Sequence, residues 1–339
     1  MKGVLFARVK NKDMFKISTF YRDDYEALSY ICDEAHCVAS IMEVIKIRPD
    51  IIISYFYSWS LVICFLSIFT GSKVVLTGGA DQISDKVYSG KRLLLNRCIA
   101  FLCLLFCRRI LVVSSEDMQN FIKIASFAPW LKKKIALSNH VLKIPENYLN
   151  CKLGFDNSKK SIKMVTICWM GSVENVLRKG VINAVDMVFD LKCAGYDVSL
   201  TIMGVKGVGA DYIVSYLNEI KISDCVLFTG PVSEDVKFGL YQESDCYIQL
   251  STYEGLGHAA AEAFLVGLPV VHSNRGGLVD TIGYFGFVFD VNARLGSDFK
   301  NLIDFLELYK PPIEYINLLV SKSTLQQRAD SFKKAFNNV

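Results

Sequence analysis

Residues 251–273, STYEGLGHAAAEAFLVGLPVVHS, limit what this chain can fold into more than any other stretch. They read as a loop, a helix, a stop and a strand. Residues 251–257 predict a glycine-bearing loop, and 258–266 predict a helix built on the helix-forming run 259–264. Gly267 fits a left-handed stop just past a helix end. Pro269 cannot continue a helix, and Val270-Val271 fit a buried strand. The loop therefore delivers the backbone N–H groups of Gly257, His258 and Ala259 at a helix N-terminus. Such a terminus attracts anions, because its first donors lack intrahelical partners and the helix dipole favours negative charge there.

Two carboxylates bracket this anion site, Glu254 in the loop and Glu262 on the helix, seven residues between them. Phosphate binding alone disfavours two negative charges nearby. A ligand with phosphates in the middle and hydroxyls at both ends uses them, since carboxylates accept hydrogen bonds from sugar hydroxyls and orient them. A nucleotide-sugar has that layout, with ribose at one end, diphosphate between and sugar at the other.

The run Glu254-Gly-Leu-Gly-His-Ala-Ala-Ala-Glu262, followed by Gly267-x-Pro-Val-Val271 and Gly276-Gly277, resembles the donor-site signature of retaining family 4 glycosyltransferases (glycosyl transferases group 1). The order and spacing carry the resemblance. It implies an α/β protein of the GT-B fold, with two Rossmann-like domains facing across a cleft. An ordinary helix with a glycine stop accounts for neither glutamate.

The length of 339 residues suits two domains of ordinary size. With 52% hydrophobic and 21% charged residues the chain can build a large core. A net charge of +4 is mild and does not point to nucleic acid, though it leaves room for local basic patches. The 11 cysteines lie mostly inside apolar runs and include no Cys-x2-Cys pair. They read as small buried hydrophobes of a reducing compartment. Cys32, His36 and Cys37 lack a fourth ligand at zinc spacing. No apolar signal region follows Met1-Lys2. The expected location is cytoplasmic, with peripheral contact at the inner face of the cell membrane as an addition.

Residues 51–72 hold no charged side chain, long enough to raise a membrane span. They divide into a strand at 51–53, a polar-aromatic loop at 54–60, a helix at 61–69 and a stop at Gly71, with the next strand at 73–77. A second apolar run, 98–107, is too short to span. Lys91, Arg92, Arg97, Arg108 and Arg109 flank it, and Lys132-Lys133-Lys134 follow. A basic, apolar helix suits an anionic membrane surface; a buried helix with solvated basic ends has the same pattern. Both readings stand at this level.

Strands alternate with helices along the chain, which predicts parallel α/β architecture. Expected strands lie at 3–9, 51–53, 74–77, 109–114 and 134–137, with a helix over 25–46 closed by Pro49 and another from Ser115. Residues 145–160 are polar and turn-rich and predict the linker. A second alternation follows, with strands at 163–168, 198–203, 226–230 and 246–250, and helices at 181–193, 210–221, 233–243, 299–308 and 323–336. The expected domains are 1–150, an acceptor-side domain, 151–320, a nucleotide-sugar-binding domain, and 321–339, a terminal helix returning to the first. Asp23-Asp24 reads as solvated surface, and His272 as packing at a strand end.

The resemblance implies roles for single residues. Lys179, in the Lys-Gly position before a helix, would pair with the donor diphosphate, with Arg178 beside it. Arg178 and Lys179 at a helix N-terminus would oppose the dipole, which favours an anionic partner. Glu254 would orient the donor sugar and Glu262 would hold the ribose. The amides around Gly255, Leu256, Gly257, His258 and Ala259 would complete the phosphate pocket. Gly204 would line the donor side, in a stretch 204–209 whose glycine order is the reverse of a dinucleotide fingerprint. The backbone at Pro231 and Val232 would meet the base of a UDP or GDP donor. Asp81 would contact donor sugar or acceptor, a glycan or lipid-linked glycan of bacterial surface polysaccharide synthesis. No metal is expected, because no Asp-x-Asp pair sits at a strand end.

The chain departs from the pattern at three places. Gly171-Ser172 stands where the family has Gly-Arg, Gly78-Gly79-Ala80-Asp81 where many members have His-Gly-x-Asp, and His140 where Asn-Gly-Val has its glycine. Residues 8–16 lack the usual glycines. These departures keep open two other readings, a non-catalytic donor-binding or assembly subunit, and an epimerase or phosphorylase.

Overall fold

The structure, a computed structural model, describes residues 1–148, 155, 160–292, 295 and 299–337. The chain divides into two compact units, residues 1–142 with 320–339, and residues 143–319. Most of the expected linker at 145–160 lies outside the described residues.

In the first unit the elements run β1 (Lys2–Phe6), α1 (Met14–Ile17), α2 (Thr19–Ser29), β2 (Glu34–Val38), α3 (Ile41–Ile47), β3 (Ile51–Tyr55), α4 (Tyr57–Thr70), β4 (Lys73–Thr77), α5 (Gly90–Phe106), β5 (Arg109–Val112), α6 (Ser115–Ile124) and β6 (Ile135–Leu137). The six strands form one parallel sheet in the order β2-β1-β3-β4-β5-β6. Strand residues alternate faces, so Val4, Phe6, Ile52, Leu76 and Val112 join one buried cluster. Leu5, Ile53, Val75 and Leu111 join the other. Helices cover both faces, which is why these strands read as continuous apolar runs.

The second unit runs β7 (Ser161–Ile167), α7 (Val173–Arg178), α8 (Val181–Cys193), β8 (Asp197–Met203), α9 (Val208–Glu219), β9 (Val226–Gly230), α10 (Glu234–Glu243), β10 (Cys246–Gln249), α11 (His258–Leu265), β11 (Val270–His272), α12 (Gly277–Thr281), β12 (Phe287–Val288), α13 (Phe299–Leu308) and α14 (Ile313–Lys322). Its six strands are also parallel, in the order β12-β11-β10-β7-β8-β9. Numbered from β7, this is the doubly wound order 3-2-1-4-5-6, which reverses between β7 and β10. Ile162, Met164, Leu200, Ile202 and Ile248 pack against Val185, Val188 and Leu191 of α8. The last helix, α15 (Leu325–Asn337), belongs to the first unit and packs on α2.

Several expectations are corrected. The helix expected over 25–46 is α2, β2 and α3. β2 is an edge strand with half-buried side chains, so its period-two pattern is weak. α3 begins at a capping box, Ser40 with Glu43. The loop expected at 54–60 is already helical from Tyr57. Its polar residue Ser60 is buried and bonded to Ser54, Oγ to Oγ, at 2.7 Å. α14 had no counterpart in the expected elements. Asp23-Asp24 is buried rather than solvated, because Arg328 reaches Asp24 from 304 residues away. Most cysteines are buried as expected, Cys98 and Cys193 being exposed. Among the described residues no helix is long and apolar enough to cross a membrane.

Candidate active site

In an open parallel sheet ligands bind beyond the carboxyl ends of the strands, where the strand order reverses. In the second unit that point lies between β7 and β10. β10 runs into the loop that ends at α11. Gly180 has φ 67°, and a Cβ there would lie 2.0 Å from the Leu250 carbonyl oxygen. Only glycine lets the start of α8 abut the end of β10. This close approach sets Lys179 beside the loop, and the Thr252 N–H donates to the Arg178 carbonyl at 2.8 Å.

The Glu254 carboxylate is the centre of the cluster. Its Oε1 accepts from Lys179 Nζ at 2.6 Å, Ser251 Oγ at 2.6 Å and Gln249 Nε2 at 3.1 Å. Gln249 accepts in turn from the Tyr247 hydroxyl at 2.8 Å. Glu254 is buried, and burial alone raises a carboxyl pKa. The Lys179 charge and the hydrogen bonds from Lys179 and Ser251 outweigh burial and hold it below the usual range. The Gly276-Gly277 pair clamps the same residue from behind. Gly277 N–H donates to the Glu254 carbonyl at 3.0 Å, and a Cβ on Gly276 (φ 57°) would lie 2.0 Å from that oxygen.

α11 begins at His258, as the sequence predicted, with Gly257 (φ 77°) as the cap before it. Its first intrahelical bond runs from Ala261 N–H to Gly257 O at 2.9 Å. The N–H groups of His258, Ala259 and Ala260 therefore form the helix N-terminus, shortly after Glu254 in the chain. Glu262, on the same helix, pairs through Oε2 with Lys237 Nζ at 2.8 Å. Lys237 also meets Glu234 at 2.8 Å. Burial lowers the Lys237 pKa, but the two glutamates more than restore it. Lys237 was missed by sequence reasoning. Its spacing of three from Glu234 was visible, but not its burial or its reach to Glu262.

Arg178 and Lys179 lie just before α8, as expected, but they also close the helix before it. Arg178 ends α7, whose start is capped by Ser172 accepting from Asn175 N–H at 3.2 Å. A cation in a last turn complements the dipole. The Arg178 guanidinium is held by the Tyr253 carbonyl at 3.1 Å and Asn175 Oδ1 at 2.7 Å, so it braces the loop that carries Glu254. Ser172 is thus the cap of α7.

Gly204 and Gly230 meet at the ends of β8 and β9, Gly204 N–H donating to Gly230 O at 2.9 Å. Pro231 is exposed and Val232 half-buried just beyond. A helix does start inside the glycine stretch 204–209, at Val208, contrary to expectation. A cavity of about 430 Å³ lies there, with Lys206 above the Phe228 ring. Asp81 belongs to the first unit, half-buried in a 3-10 turn (Ala80–Ile83) after β4. His272 is fully buried, its Nε2 2.9 Å from Gly283 O, and burial pushes its pKa down to about 4. It packs at the strand end, as expected. No cluster of His, Cys, Asp and Glu able to hold a metal occurs among the described residues.

The two parallel sheets with flanking helices define the GT-B fold, with two Rossmann-like units. Solved structures similar over essentially the whole chain share it. Anabaena Alr3699/HepE in complex with UDP and glucose has a TM-score of 0.73 at 14% identity, covering 100% of both chains. Sucrose-phosphate synthase from Thermosynechococcus elongatus has 0.72 at 14% identity, covering 98% of this chain and 97% of that one. Residues 158–312 match the family model "Glycosyl transferases group 1". A segment of 105 residues is 34% identical to 2-deoxystreptamine glucosyltransferase from Streptomyces kanamyceticus, covering 31% of this chain and 27% of that protein's length. The second unit thus carries the family match, and the chain as a whole has the GT-B fold.

Proposed function

We propose that the chain is a retaining family 4 glycosyltransferase that moves a sugar from a UDP- or GDP-sugar to a glycan or lipid-linked acceptor in bacterial surface polysaccharide synthesis. The observation that carries the proposal is the Glu254 carboxylate, buried and held by Lys179, beside the N-terminus of α11. The UDP and glucose bound to the Anabaena protein of the same fold support the donor class.

In this reading the second unit, residues 151–320, takes the donor and residues 1–150 take the acceptor, with 321–339 completing the first domain. The backbone N–H groups at Gly257, His258 and Ala259, within the run from Gly255, receive the diphosphate. Lys179 turns from Glu254 toward it, and Arg178 assists through its charge and by bracing the loop. Glu254 then accepts from hydroxyls of the donor sugar, and Glu262, held by Lys237, from the ribose. Gly204, Pro231 and Val232 present backbone to the base, and Asp81 contacts sugar or acceptor. As the glycosidic bond breaks, negative charge grows on the leaving diphosphate. Fixed N–H dipoles and the Lys179 ammonium stabilise it without reorganisation. The acceptor hydroxyl attacks from the same face and passes its proton to the departing phosphate. No protein nucleophile and no metal enters the scheme.

The test is a thermal-shift screen against UDP-, GDP-, ADP- and CMP-sugars without added metal. A ligand that binds only the folded state raises the midpoint, by about 2.7 kcal/mol of stabilisation at a hundred times its Kd. A shift with UDP- or GDP-sugars, lost in Lys179→Ala, supports the proposal. A folded protein that responds to no donor overturns it.

A further inference from the structure

The first unit carries a basic cavity at the end of its sheet opposite the strand carboxyl ends, a place the donor chemistry does not use. It encloses about 460 Å³ between the amino ends of β4 and β5 and the turn before β6. Lys73, Arg108, Arg109, Lys133 and Lys134 line it, with no carboxylate among the lining residues. Lys134 is engaged with the end of α5, donating to the carbonyls of Leu104, Leu105 and Cys107 at 2.8–3.0 Å. Lys73 and Lys133 are exposed and Arg109 half-buried, and the buried Arg108 Nε has no hydrogen-bond partner.

Two features at the cavity rim point to what it meets. The first is an exposed apolar ridge. Phe106 lines the cavity and packs on Phe65 of α4 with ring centroids 4.8 Å apart. One turn on, Phe69 is 87% exposed and Ile68 57%. Leu102 and Leu105 continue the ridge on α5, both partly exposed. Phe127 and Trp130 stand out from the segment that leads to Lys132-Lys133-Lys134. The second is charge. Exposed Lys132 adjoins the cavity cations, and from residue 118 to 145 the chain has no acidic residue. An apolar ridge beside a cluster of one sign is not the surface a second copy of the same chain would cover, because the cations would face one another. It complements a surface that is apolar inside and anionic at its face.

We propose that this end of the first unit docks on an anionic phospholipid bilayer. The cavity cations take lipid phosphates, and Phe69, Ile68 and their neighbours enter the acyl boundary. This decides between the two readings of the run 98–107: its helix is buried on one side and membrane-facing on the other. The docking surface needs no donor and none of the residues around Glu254. Vesicle binding and donor binding can therefore fail independently, although the membrane reading adds to the proposed lipid-linked acceptor.

The experiment is co-sedimentation of the full chain with vesicles of phosphatidylcholine alone or mixed with phosphatidylglycerol, over a range of salt. Binding to the mixed vesicles only, weakening as salt rises, is expected. Neutralising three of the cavity cations by Lys73→Gln, Arg109→Gln and Lys133→Gln should cost about a hundredfold in affinity, at about fivefold each. Phe69→Ser with Ile68→Ser, both at exposed positions, should lower binding at high salt and leave the thermal midpoint unchanged. Equal binding to neutral vesicles, or no loss in the triple variant, would overturn the charge part. Self-association in sedimentation analysis, abolished by Phe69→Ser, would assign the ridge to a second copy and overturn the proposal. Tight binding of inorganic phosphate in the cavity without vesicle binding would make it a small-anion site, with the same consequence.

Discussion

Each unit places one carboxylate–cation pair at the carboxyl ends of its parallel sheet, and the two pairs are built for different work. In the first unit Arg328 meets Asp24 through two parallel bonds, Nε to Oδ1 and Nη2 to Oδ2, each 2.7 Å. Both side chains are fully buried. Every remaining guanidinium donor direction is used, by the Ser138 carbonyl and hydroxyl at 2.9 and 2.8 Å and by Thr77 Oγ1 at 3.2 Å. The Tyr55 hydroxyl donates to the same carboxylate. Burial raises the Asp24 pKa, and Arg328 overrides it and holds it well below the carboxylate range. In the second unit Lys179 makes one bond to Glu254 and keeps 22% of its side chain exposed. A planar fork with all its donors satisfied has no reason to move. A point charge on a flexible stem, with one partner and access to water, can exchange that partner for another anion. The same pairing is thus a closure in one unit and a poised contact in the other.

The largest effect that would break this comparison is on stability. Arg328→Ala leaves a buried carboxylate without compensation and should destabilise the first unit by about 3–5 kcal/mol, read by urea unfolding. Replacing both partners, Asp24→Leu with Arg328→Met, should recover most of that. A loss below about 1 kcal/mol for Arg328→Ala would remove the structural role of the pair.

Next in size is turnover. Lys179→Ala should lower kcat by about 10²–10³, the usual range for a donor to developing charge. Its thermal midpoint should stay close to that of the parent, in contrast to Arg328→Ala. A Lys179→Ala enzyme with normal turnover would make the second pair as structural as the first.

Acid should separate the units further. The buried His272 of the second unit has its pKa pushed from near 6.5 down to about 4. The unfolded chain then binds the proton first, so stability is present above about pH 6.5 and is lost as pH falls toward 4. At 1.36 kcal/mol per pKa unit the loss is about 3 kcal/mol. His140, beside Asp24, shifts in the same direction through burial. Asp24 and Glu254 have depressed pKa values, so their contribution disappears only lower, as pH falls below the carboxylate range. His272→Asn should flatten the limb between pH 6.5 and 4 in a denaturation series. An unchanged slope would show that His272 is not the group being protonated.

The smallest effect concerns Lys237. Lys237→Met leaves Glu262 without its cation and should weaken nucleotide binding about tenfold, the scale of a charge-assisted hydrogen bond. Calorimetry with the nucleoside diphosphate measures it. A matched loss with nucleoside diphosphate and with free phosphate would place the effect away from the ribose.

The loop before α11 was legible because its signals are local. Gly257, the helix-forming alanines, Gly267 and Pro269 each dictate a backbone state by their own covalent chemistry. The β11 strand after them follows from two β-branched residues in a row. The edge strand β2 was not legible, since a half-exposed strand has no strong period. Asp24 read as surface for a related reason: its partner lies 304 residues away, and charge in sequence carries no mark of burial. α7, which Arg178 ends just before α8, was not legible, since it has six residues and its mark in the sequence is the Ser172 cap.

The sequence by itself determined most strands and helices of the second unit, α7, α12, β12 and α14 excepted, and which two glutamates stand around a helix N-terminus. Those properties depend on neighbours within a few residues. The tertiary structure alone decided which cation meets which carboxylate: Lys179 with Glu254 because Gly180 lets α8 touch β10, Lys237 with Glu262 across two helices, Arg328 with Asp24 through the returning last helix. Such pairings are set by the order of strands and the packing of glycines against backbone, and burial then fixes which of them can let go.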